Sequence, residues 1–144
     1  MNVRHFLVVP AVAFLAMPFA LSAQGHDASI ANHELHLFAA ADFGINPENV
    51  TFSRDIAPIL QRSCENCHRA GGGAPMALTT YQEVRRWSQR IKLRTAIRDR
   101  MGAMPPFFVE KDIGIDKFKD DQSLNDEELA LIQAWVDNGA PEGN

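Results

Sequence analysis

The stretch Cys64-Glu65-Asn66-Cys67-His68 sets two thiols three residues apart and an imidazole directly after the second. On one helical turn, positions i, i+3 and i+4 share a face, so both sulfurs and the ring would point the same way. Two thiols at this spacing can add to the two vinyl groups of a haem, and the imidazole then lies under the iron as an axial ligand. Two plainer chemistries compete for the same residues. A redox-active dithiol sits at a strand end in a βαβ pattern, which this chain lacks. A four-ligand zinc site needs a second cluster of Cys or His, and the only two cysteines are both in the motif. The same count leaves no disulfide framework beyond a bond between these two.

The opposite face of such an iron would be filled by Met104, Met76, Met101, His33 or His36. Met104 stands before Pro105 and Pro106, which prevent helix and hold the chain extended. A thioether on so stiff a segment can reach a metal without being drawn into regular structure. Met76 is close in sequence to His68 and is expected on its side of the ring, and Met101 is expected near the end of a helix. His33 and His36, with His26, belong to an N-terminal stretch and read as surface or packing residues, since no Cys or carboxylate completes a ligand set nearby. Met104 is the expected second ligand.

Positioning these groups requires three helices. Ile56, Ile59, Leu60 and Ser63 share a helical face leading into the motif. Pro58 would cost ~3 kcal/mol inside that helix, but with Asp55 as N-cap it falls at N3, where its missing N–H had no partner. Ser53 is the alternative cap. After His68, Gly71-Gly72-Gly73 cannot be regular structure and read as a tight loop around a bulky object, with Pro75-Met76-Ala77-Leu78 offering apolar contact beyond it. A second helix starts at Thr80, boxed by Glu83. Its stripe of Tyr81, Val84, Trp87 and Ile91 passes to Leu93, Ala96, Ile97 and Met101 on a rotated face, which suggests a kink near Ser88. The same stretch is basic, with Arg85, Arg86, Arg90, Lys92, Arg94, Arg98 and Arg100, and reads first as a solvated face and second as a docking patch for an acidic redox partner. Trp87 and Arg90 are candidates for the haem propionates. Residues 109–122 read as a surface loop that can fold over a haem edge through Ile113, Ile115 and Phe118. The last helix is capped by Asn125 and boxed by Glu128, with Leu129, Ile132, Trp135 and Val136 as its apolar stripe and Gly139 as its stop.

Residues 1–23 have the layout of a secretory signal: Arg4 and His5, an apolar run from Phe6 to Ala20, then Ser22 and Ala23. Membrane anchoring through an uncleaved signal is the alternative, but the run is short for a span and Pro18 interrupts its end. Residues 24–49 form an extension in which Asn32 would cap a short helix through Leu35 and Phe38, ending near Gly44, before a turn at Asn46-Pro47. Residues 50–142 are the compact domain. The 144-residue chain carries a net charge of −4, which becomes −5 without Arg4, and this argues against non-specific nucleic-acid binding.

From Val50 to Pro141 the chain resembles monohaem cytochromes c of the class I type, and from Phe52 to Leu78 the cytochrome c domains of larger bacterial oxidoreductases. The resemblance rests on Cys64-x-x-Cys67-His68 at the end of the first helix, Met104-Pro105-Pro106 before the last, and a terminal amphipathic helix carrying Trp135. It implies an all-α fold wrapped around one haem c held by Cys64 and Cys67, with His68 and Met104 on the iron. It implies a crossing of the first and last helices, Ile56 and Leu60 against Ile132 and Trp135, and a carbonyl of Pro75 accepting a hydrogen bond from His68. Phe107, Phe108, Ile132 and Trp135 would keep water from the iron. The implied role is periplasmic electron transfer between redox proteins, not enzymatic catalysis. The alternatives are a subunit passing electrons inside an oxidoreductase, or a haem sensor or peroxidase-like enzyme with an open iron.

Overall fold

The computed structural model describes residues 35–98, 100–106, 114 and 119–144. The signal segment, His26, His33, Phe107, Phe108, Ile113, Ile115 and Phe118 lie outside them. Among the described residues the chain is all-helical with no strand. Two 3-10 turns (Ala40–Phe43 and Pro47–Asn49) and a π turn (Phe52–Ile56) lead into α1 (Ala57–Ser63), followed by α2 (Tyr81–Ile97) and α3 (Asp126–Asp137). No described helix is long and apolar enough to cross a membrane.

The last helix organises the rest. Asn125 and Glu128 form the reciprocal capping box expected of them, which satisfies two of the orphan donors at the helix start. Leu129, Ile132, Trp135 and Val136 are all buried, as their spacing requires. α3 packs against α2, both 3-10 turns and the π turn. The first helical segment therefore meets α3 chiefly through Phe52–Ile56, where the Phe52 and Trp135 rings lie 6.2 Å apart. A buried indole N–H needs an acceptor. Trp135 Nε1 donates to the Pro141 carbonyl at 2.8 Å, and the Phe52 N–H donates to the same oxygen at 2.9 Å. Tyr81 Oη donates to the Ala140 carbonyl, so the tail after α3 holds the starts of both other helical segments.

Three expectations are corrected. The first helix is not capped at Asp55: helical turns begin at Phe52, and the Asp55 carboxylate reaches back to accept the Thr51 N–H at 2.7 Å. Pro58 falls in the first turn of α1, where no donor is missed. α2 runs unbroken, because its buried seam continues through two small polar residues, Ser88 and Thr95. Thr95 Oγ1 donates to the Ile91 carbonyl at 2.8 Å, which makes its burial cheap. Residues 35–39 are not helical, and helix appears only as the 3-10 turn Ala40–Phe43, ended by Gly44 in the left-handed region. Buried Gln133 on α3 holds that strip of chain: its amide donates to the His36 carbonyl and accepts the Phe38 N–H.

Replacing Trp135 with Phe removes the N–H that ties α3 to Pro141 and leaves a small void. Chemical denaturation is expected to show a loss of about 2 kcal/mol, and Tyr81→Phe a loss of about 1 kcal/mol.

Two carboxylates give the fold an acid limit. Partial burial works against ionisation of Asp55, but the Arg54 guanidinium and the Thr51 N–H outweigh it and hold the carboxyl below the usual range. Hydrogen bonds from the Thr79 hydroxyl, Thr80 and the Thr79 N–H lower Glu83 in the same sense. A carboxyl depressed in the folded state stabilises above its unfolded pKa, and that contribution is lost as pH falls through the folded value. Melting temperature is thus expected to fall as pH drops below about 4, and the double variant Asp55→Asn, Glu83→Gln to start lower at neutral pH and fall less steeply.

Candidate functional site

α1 ends at Ser63, and the Cys64 N–H still reaches the Leu60 carbonyl at 2.8 Å. The motif itself is a helical turn beyond that helix, not its last turn. His68 N donates to Cys64 O at 2.9 Å and Cys67 N to the same oxygen at 3.1 Å, so helical sense persists for one more step. That step is what turns Cys64, Cys67 and His68 to one side, and all three line a single cavity of ≈ 310 Å³.

The glycine loop returns tightly onto the motif. Ala74 N donates to Cys67 O at 3.1 Å, and Leu78 N to His68 O at 2.9 Å. Gly71 has φ +73°, and a Cβ on Gly72 would lie 2.2 Å from the Cys67 carbonyl oxygen. Gly73 has open space around it. The three glycines are thus not equivalent: one takes a left-handed backbone, the next allows backbone to touch backbone.

His68 is buried, 8 % exposed, and its Nδ1 lies 3.1 Å from the Met76 carbonyl. The expected acceptor was Pro75, one residue earlier; the loop closes over one residue more. A carbonyl can only accept, so Nδ1 carries the proton and Nε2 keeps the lone pair that can bind a metal. Pro75 lines the cavity instead.

Met104, Pro105 and Pro106 line the same cavity. The Met104–Pro105 peptide is cis. Of the three described methionines, Met104 alone lines the cavity. Met101 is 92 % exposed and Met76 packs on the hydrophobic core. His36 is tied by its main chain to Ala96 and Gln133 and does not line the cavity. Trp87 and Arg90 are not brought to it either; Trp87 packs on the core. Ile132 and Trp135, expected near the iron, are core residues. Two lining residues had no sequence signal as site residues: Ser63, buried at the end of α1, and Gln122.

Burial pushes the Cys64 thiol up to about 12, and the Glu65 carboxylate adds to the effect. Such a thiol stays protonated at neutral pH and is a poor nucleophile as it stands, since that chemistry needs thiolate. Among the described residues no three His, Cys, Asp or Glu side chains gather to hold a metal ion alone. The lining of the cavity offers two thiols, an imidazole and a thioether, in mostly apolar surroundings. That set fits a flat ring that brings its own metal and needs only two tethers and two axial donors. The cavity's size is at the small end for a cofactor site.

No protein-family model matches the chain, and no curated protein or solved structure matches it.

Gly72→Ala is expected to force the motif turn apart and cost about 3 kcal/mol, whereas Gly73→Ala should stay within about 0.5 kcal/mol of the unmodified protein. Denaturant titration of the two variants side by side measures the difference.

Proposed function

We propose that this protein is an exported monohaem cytochrome c of the class I type, which carries electrons in the periplasm through one covalently held haem. The observation that carries the proposal is the convergence of Cys64, Cys67, His68 and Met104 on one cavity from two separate stretches of chain. The bound haem would supply one-electron redox chemistry. Cys64 and Cys67 would tether the ring by thioether bonds. His68 would offer Nε2, with its orientation and basicity set by the Nδ1–H donated to Met76 O. Met104 would offer a neutral, soft sulfur, which favours the ferrous state over a second imidazole and so raises the potential. With His68 and Met104 both bound to the metal, no position would be left for a substrate, and the role would be carriage of electrons between redox proteins. The signal-like layout of residues 1–23 supports an exported setting.

Expression alongside a haem-attachment system is expected to yield a protein one haem heavier by intact mass, with the haem retained after denaturation. Cys64→Ser and Cys67→Ser should each leave haem attached through one bond at most. The ferric protein should be low-spin with a thioether-to-iron charge-transfer band. Met104→Ala should abolish that band and lower the potential by on the order of 100 mV, while Met76→Ala leaves both in place. High-spin haem that binds CO rapidly in the unmodified protein would overturn the carrier reading.

A further inference from the structure

We infer that Arg94 is a positioning residue for Met104, clamping from α2 the segment that presents the thioether to the cavity. The inference rests on the haem reading proposed above. It starts from the end of a helix. The last four carbonyls of α2 have no partner within the helix. Arg98, at φ 66°, ends α2, and residues 100–104 come back over its last turns. The Arg94 carbonyl accepts the Met104 N–H at 3.0 Å. The Arg94 guanidinium also reaches this segment, where Nη1 donates to the Gly102 carbonyl at 3.1 Å.

One residue thus holds the chain on both sides of Ala103. Ala103 is itself 4 % exposed and packs with Ile97, so the segment is fixed by two hydrogen bonds and an apolar pin. The side chain just before the clamp takes no part in it: Met101 is 92 % exposed. Gly102 has φ +92°, and a Cβ there would lie 2.9 Å from Arg94 Nη1, so the position takes glycine where the guanidinium passes. A thioether is a weak neutral donor. Its hold on a metal depends on how little freedom its segment must lose on binding. By restraining residues 102–104 beforehand, Arg94 would make Met104 harder to displace.

The test is competition for the iron. Exogenous imidazole is titrated into the ferric, haem-loaded protein and loss of the thioether band is followed. For Arg94→Met, which keeps the aliphatic stem and loses the donors, the imidazole midpoint is expected to fall about tenfold. Arg94→Lys should recover most of this, and Arg85→Met, an equal change of charge on the exposed face of the same helix, should leave it unmoved. Hydrogen exchange at the Met104 amide should speed up in Arg94→Met. Arg94→Gln, a shorter neutral side chain that does not reach Gly102 O, should move the midpoint in the same direction and covers the case in which Arg94→Met folds poorly. An Arg94→Met midpoint equal to that of Arg85→Met, with the thioether band present, overturns the clamp and leaves the haem reading intact. A missing thioether band in the unmodified protein overturns both.

Discussion

A buried indole has one polar atom that cannot be left alone, and in this protein its partner is a carbonyl beyond the end of its own helix. Trp135 is fully buried, and its Nε1–H donates to Pro141 O. The tail is thereby folded back across the end of α3, where Pro141 O also accepts the Phe52 N–H and Ala140 O accepts the Tyr81 hydroxyl. Two short carbonyl contacts fix where the first segment and α2 begin relative to α3. The motif hangs from the end of α1 and Met104 from the end of α2, so the placement of both cavity walls descends from this arrangement. Apolar burial supplies the driving force around it, with Ile56, Leu60, Val84, Leu129 and Ile132 closing the core on all sides.

The two walls are built by different means. The motif wall is local: helical hydrogen bonding continues one step past α1, and a glycine loop closes within a few residues, ending on the His68 ring through Met76 O. The Met104 wall is not local in that sense. It depends on how α2 ends and on which of its carbonyls and side chains meet the returning chain. The first brings backbone into contact with backbone at Gly72, and the second meets a side chain of α2, the Arg94 guanidinium at Gly102 O.

Legibility in the sequence followed the range of the interaction. Both capping boxes, at Thr80 with Glu83 and at Asn125 with Glu128, are three-residue signals and formed as read. The α3 stripe did too, since period and burial agree along its length. α2 runs on past Ser88, where the apolar stripe changes face, because its buried seam includes Ser88 and Thr95 and a helical back-bond satisfies the Thr95 hydroxyl. Asp55 was read as a cap when it reaches back to Thr51, since a π turn shifts the helical start by residues that no periodicity records. Residues 35–39 carry helix-forming side chains yet form no helix, because Gln133 holds their backbone from 95 residues away.

By itself the sequence determined the chemistry on offer: two thiols and an imidazole on one turn, a stiff thioether further on, and three helices, two of them with their caps. Those are properties of residue type and short spacing, which act before any tertiary contact forms. Only the tertiary structure decided which methionine shares a cavity with the imidazole, which carbonyl orients His68, and that Trp87 and Arg90 do not line that cavity. These outcomes turn on where helices end and what their unpaired carbonyls find there. Partners of that kind are far away in sequence, so no local pattern could encode them.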